Sequence, residues 1–127
     1  MLVKILKSKI HRATVTDANI DYIGSISIDG RLMEHANILP YEKVLVVSLD
    51  SGERLETYAI EEEKGTGEIC INGAAARRIM KGEKVIIISF VSVEPKEAEA
   101  HRPKVLYVDD KNRIKKEEDH VGKDDQC

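Results

Sequence analysis

Lys81-Gly82-Glu83-Lys84-Val85-Ile86-Ile87-Ile88-Ser89-Phe90-Val91-Ser92-Val93 is the stretch that sets the fold class. A glycine turn is followed by ten residues rich in Val and Ile, whose branched side chains suit a pleated surface better than a helix. The run Lys84 to Val93 therefore predicts a strand, and similar segments flank it on both sides. Upstream lie Met1 to Leu6, His11 to Thr16, Ile26 to Ile28, Lys43 to Leu49, Arg54 to Ile60 and Glu68 to Ile71; downstream lies Val105 to Val108. Asp29-Gly30, Asp50-Ser51-Gly52, Lys64-Gly65-Thr66-Gly67 and Lys81-Gly82-Glu83 separate them as turns. Short strands at this spacing predict a mainly β fold, a small closed barrel without exposed sheet edges.

Two short helices are expected within this frame. One runs from Arg31 to Leu39, with Leu32, Ala36 and Leu39 on one side before Pro40; the other runs from Ala74 to Met80, with Asn72 as candidate N-cap. Residues 1–108 read as one domain without repeat or linker. From Asp109 to Cys127 nearly every residue is charged or polar, which predicts a frayed, disordered tail that buries too little area to offset ordering.

Composition narrows the function classes. At 127 residues, 42% hydrophobic and 34% charged, the chain has the make-up of a soluble globular domain, and a cytoplasmic location is expected. No apolar run approaches the roughly 20 residues of a membrane-spanning helix, so no membrane partner is expected. Lysines interrupt the first residues too often for a secretory signal. A net charge of -3 without tryptophan argues against a nucleic-acid surface. His11, His35, His101 and His120 are scattered, and Cys70 and Cys127 lack ligand spacing, so no metal is expected. Cys70 reads as core and Cys127 as inert.

Chemistry centres on Tyr22-Ile23-Gly24-Ser25, between two strand-like segments. Taken singly, a Gly-Ser pair is an ordinary turn, Thr57 an ordinary strand residue and Tyr58 a half-buried aromatic. Four further segments accompany it: Lys9-Ile10-His11-Arg12 with Val15-Thr16, Arg54-Leu55-Glu56-Thr57-Tyr58-Ala59-Ile60, Asn72-Gly73-Ala74-Ala75-Ala76, and Arg102-Pro103 with Tyr107. In this order, and from about residue 1 to Tyr107, the chain resembles the bacterial aspartate 1-decarboxylase family.

That resemblance implies a double-psi β-barrel assembled as a homotetramer with shared active sites. It implies self-cleavage between Gly24 and Ser25 into residues 1–24 and 25–127, with Ser25 becoming a covalent pyruvoyl group. By the same resemblance Thr57 assists the cleavage, the pyruvoyl carbonyl forms a Schiff base with L-aspartate, and Tyr58 returns a proton after carbon dioxide leaves. β-Alanine for pantothenate and coenzyme A synthesis is the implied product. Lys9 and Arg54 are the implied partners of the substrate carboxylates, with Thr57, Gly73, Ala74 and Ala75 contacting substrate and His11, Tyr22 and Asn72 in support. Which carboxylate each cation holds, and whether a helper protein assists maturation, stay open. So do two competitors: a non-enzymatic barrel that binds a ligand or protein, and a pyruvoyl decarboxylase for another amino acid such as histidine or arginine.

Overall fold

In the computed structural model, which describes residues 1–122, the valine- and isoleucine-rich runs form the strands of one mixed sheet. They are β1 (Val3–Thr14), β2 (Asp17–Asn19), β3 (Ser25–Asp29), β4 (Lys43–Ser48), β5 (Arg54–Glu62), β6 (Ile69–Asn72), β7 (Lys84–Val93), β8 (Lys104–Val108) and β9 (Ile114–Glu118). Their order across the sheet is β2-β6-β3-β5-β4-β7-β1-β8-β9. The β1/β8, β2/β6 and β3/β5 pairs are parallel and the others antiparallel. This mainly β architecture fits the expected double-psi barrel.

Alternation places one side of each strand inside. Ile10 of β1, Ile26 and Ile28 of β3, Val46 of β4, Ile71 of β6 and Ile87 of β7 are fully buried in a single core. Helix α1 (Gly30–Ala36) adds Leu32, Met33 and Ala36 to it. The helix is shorter than expected because Asn37 turns left-handed (φ 58), so that the Asn37 and Ile38 amides fold back onto the carbonyls of Glu34 and Met33. The second expected helix is only a 3₁₀ turn, Gly73–Arg77, and Asn72 at its cap position makes no capping bond with its side chain. Helix α2 (Pro95–Ala100) was not expected, although Pro95 opens it and Glu94 and Glu97 form a reciprocal capping box. The two expected N-terminal strands are one strand. β1 continues through register shifts between Leu6 and Ser8 and between Ile10 and Ala13, the latter with Arg12 at φ 65.

The expected tail is a correction. Within Asp109 to Gly122 the chain makes a turn and then β9, antiparallel to β8. Asp109 organises the turn by accepting the amides of Lys111 (2.9 Å) and Arg113 (3.0 Å), and Ile114 packs against the core. Backbone pairing and one apolar anchor thus order a segment whose composition alone would not. Cys127 lies outside the described residues.

Asn112, 2% exposed at φ 62, draws the two margins of the sheet together. Its Oδ1 accepts the Thr14 amide (2.7 Å), and its Nδ2 donates to the carbonyls of Thr14 and Gly67 (both 2.8 Å). Asn112→Ala should strip partners from three backbone groups, the buried Gly67 carbonyl and the half-buried amide and carbonyl of Thr14, at up to about 1 to 3 kcal/mol each, partly relieved by water. A drop of roughly 3 kcal/mol in denaturant-unfolding free energy is the expected result; an unchanged midpoint would show that the asparagine closes nothing.

Candidate active site

Ser25 is the first residue of β3 and is 1% exposed. Antiparallel pairing with β6 sets Ser25 opposite Asn72 and Ser27 opposite Cys70, on the side of the sheet away from the isoleucines. Asn72 Nδ2 therefore reaches both hydroxyls, donating to Ser25 Oγ (2.9 Å) and Ser27 Oγ (3.0 Å). The Ser25 hydroxyl itself donates to the Ile23 carbonyl at a long 3.4 Å. Cys70 is buried, as the sequence suggests, and stands beside Asn72: Sγ donates to Asn72 Oδ1 at 3.1 Å. Burial, and then the charges of Asp17, Glu68 and Glu62, push the Cys70 thiol up from its ordinary pKa. Alternation in Ile69-Cys70-Ile71-Asn72 was the signal for this, since Cys70 shares its side with Asn72.

The residues before Ser25 cross the sheet on glycine. Tyr22 and Ile23 are exposed, and their backbone runs over Gly73 at φ +72. A Cβ on Gly73 would lie 2.5 Å from Gly24 Cα, 2.6 Å from Gly24 N and 2.9 Å from the Tyr22 carbonyl oxygen. Gly24 has more room. A Cβ there meets only the Asn72 carbonyl oxygen at 3.9 Å, and its φ lies outside the left-handed region.

Strand β5 divides the remaining residues between its two sides. Leu55, Thr57 and Ala59 alternate toward the interior, where Thr57 pairs with Val44 and Ala59 with Ile26. Gly24, Leu55, Glu56, Thr57, Ala74, Ala75 and Arg78 line a shallow cavity of about 300 Å³. Arg54, Glu56 and Tyr58 alternate to the opposite side. Tyr58 stands one residue before Ala59 as Ser25 stands one before Ile26, so parallel register gives Ser25 and Tyr58 the same side of the sheet.

Lys9 and His11 lie on β1, which is not a sheet neighbour of β3. Lys9 pairs with Ile88 of β7 and Val105 of β8, four strand spacings of about 4.8 Å from β3 along the sheet. His11 is buried against Tyr107, ring centroids 5.5 Å apart in an edge-on contact, and the Lys116 ammonium lies 4.4 Å above the Tyr107 ring. Ser27, Cys70 and Arg78 are neighbours of the site that sequence reasoning left out.

Fold and site together define a double-psi β-barrel protein with a serine-centred site at the start of a strand. A family model described as Aspartate decarboxylase matches residues 1–115, and the chain belongs to that family. Among similar curated proteins, an aspartate 1-decarboxylase of Clostridium botulinum strain Langeland is 58% identical over 91% of each chain. Those of Caldicellulosiruptor saccharolyticus and Clostridium kluyveri are 56% and 54% identical over 91% and 90% of each chain.

Proposed function

We propose that the chain cuts itself between Gly24 and Ser25, converts Ser25 to a pyruvoyl group and decarboxylates L-aspartate to β-alanine and carbon dioxide. The observation that carries this reading is a buried Ser25 hydroxyl held by Asn72, directly after a backbone segment seated on Gly73. Ser25 Oγ attacks the Gly24 carbonyl carbon; the C–N bond breaks as the C–O bond forms, and the amide becomes an ester. Loss of the Ser25 Cα proton with cleavage of the Cβ–O bond releases the Gly24 carboxylate and leaves dehydroalanine. Its imine tautomer takes up water and loses ammonia, giving the ketone.

The residues present fit that group. Asn72 donates to Oγ as negative charge builds there, and Thr57 shares the cavity with Gly24, where its hydroxyl serves the carbonyl oxygen under attack. Ala74 and Ala75 keep the same cavity free of bulk for substrate. Once formed, the pyruvoyl carbonyl supplies an electron sink for the bond to the α-carboxylate. Tyr58 delivers the proton to the carbon that lost carbon dioxide. Arg54 lies on the side of β5 that carries Tyr58, where its planar fork suits a carboxylate.

Lys9 stands on β1, four strands from β3 in the order of the sheet, and a homotetramer whose sites are completed by a neighbouring copy would supply such a residue from a second protomer. Phe90 (45% exposed) and the half-buried Leu45, Val47 and Ile88 form an apolar stripe on that outer side, suited to such a contact. A cytoplasmic enzyme supplying β-alanine for pantothenate and coenzyme A fits this reading.

Intact-mass measurement of the purified protein tests it. Two polypeptides, residues 1–24 and 25–127 with a keto cap on the second, together with β-alanine formed from L-aspartate, are the expected result. One uncut polypeptide overturns it. Tyr58→Phe should still be cut, because no step of cleavage uses the phenol, yet turn over roughly 100-fold more slowly or worse for lack of a proton donor. Wild-type turnover in that variant would remove Tyr58 from its role.

A further inference from the structure

We propose that Cys70 is a positioning residue for self-cleavage: its S–H holds the Asn72 side chain in the one orientation that presents an amide nitrogen to Ser25. This rests on the reading of Gly24-Ser25 as the scissile pair.

The amide of Asn72 is 4% exposed and fully engaged, with both N–H groups on the serine hydroxyls and its oxygen on the thiol. A half-turn of that amide would exchange N and O with almost no change of shape. The two serines would not resist the exchange, since a hydroxyl both donates and accepts. The thiol does resist it. Sulfur is a weak acceptor, so the flipped amide would set an N–H against Sγ and forfeit the contact with the S–H.

Orientation matters for the chemistry because the two arrangements act on Ser25 in opposite ways. With nitrogen toward Oγ, the amide stabilises charge developing on the nucleophile and leaves the hydroxyl proton with the distant Ile23 carbonyl. With oxygen toward Oγ, the amide would hold the hydroxyl proton in place and oppose its departure. The register of β3 on β6 fixes all four side chains on one side of the sheet, so the thiol acts without contacting the scissile bond.

Its environment also suits a donor rather than a nucleophile. Buried near Asp17, Glu62 and Glu68, the thiol stays protonated, and no thiolate is present to add to the dehydroalanine Cβ.

Self-cleavage of the full chain, followed on denaturing gels from the moment of synthesis, provides the test. Cys70→Val fills the space without a donor, Cys70→Ala removes the donor, and Cys70→Ser keeps it. Both Val and Ala variants should cleave roughly tenfold more slowly, the scale of one lost hydrogen bond, while Ser restores the wild-type rate. In an Asn72→Ala background the Cys70→Val change should add nothing, because the thiol acts only through that amide. Cleavage of Cys70→Val as fast as Cys70→Ser, or an equal further slowing in the Asn72→Ala background, overturns the assignment. Should the unaltered chain stay whole, the scissile reading itself fails; cutting of the unaltered chain with indifferent Cys70 variants removes only the role of the thiol.

Discussion

Ser25→Ala is expected to give a single polypeptide of full length, with no fragment ending at Gly24 and no β-alanine from L-aspartate. The Ser25 hydroxyl is the group that converts this amide to an ester, and neither Asn72 nor Ser27 can replace it: Asn72 is no nucleophile, and Ser27 lies two residues into β3. The fold should survive. Removing Oγ leaves one Asn72 N–H without its 2.9 Å partner, at about 1 to 3 kcal/mol, while the isoleucine core on the other side of β3 is untouched. An intact-mass spectrum beside a thermal melt therefore separates the chemical loss from unfolding. Fragments of residues 1–24 and 25–127 in that variant would show that another group starts the cleavage.

Much of the barrel could be read from composition and alternation, because valine and isoleucine leave few alternatives to a strand. Lys84 to Val93 coincides with β7, and Arg54 to Ile60 falls within β5. What escaped was non-local. The register shifts that join Met1–Leu6 to His11–Thr16 are set by pairing with β7 and leave no mark in β1 itself. The ordering of Asp109 to Glu118 depends on Asn112 finding Thr14, 98 residues away in sequence, and on β8 offering a free edge. A polar segment pinned by backbone partners looks the same in composition as one left in water.

The site shows the same division. Gly24-Ser25, Thr57, Tyr58 and Asn72 stood out in the sequence through family resemblance, and the register of β3 with β5 and β6 accounts for their proximity. Their relative sides were also readable: parity along β5 separates Thr57 from Tyr58, and parity along β6 joins Cys70 to Asn72. The place of Lys9 in the strand order was not readable, because it depends on how many strands intervene, which is a property of topology alone. Nor was the weight of Gly73 over Gly24, since both are glycines beside the same serine and only the crossing of two backbones distinguishes them.

That difference yields the second large effect. Gly73→Ala imposes two penalties at one atom: a left-handed residue acquires a Cβ, about 1 to 2 kcal/mol, and the Cβ falls 2.5 Å from Gly24 Cα, where both partners are backbone. Something must move, and the least supported element is Tyr22 to Gly24, whose side chains at Tyr22 and Ile23 are 62% and 84% exposed. Displacing that segment takes the Gly24 carbonyl away from Ser25 Oγ, which Asn72 holds in place, so strain is relieved at the expense of cleavage geometry while the core stays packed. Gly73→Ala should therefore cut roughly 100-fold more slowly than the unaltered chain with only a modest loss of thermal midpoint. Gly24→Ala, whose Cβ meets nothing nearer than 3.9 Å, should be the milder change although it alters a residue of the scissile pair itself. The comparison is a time course of fragment appearance for the two variants side by side; if Gly24→Ala proves the slower, the scissile segment is not seated on Gly73 in the way these distances require.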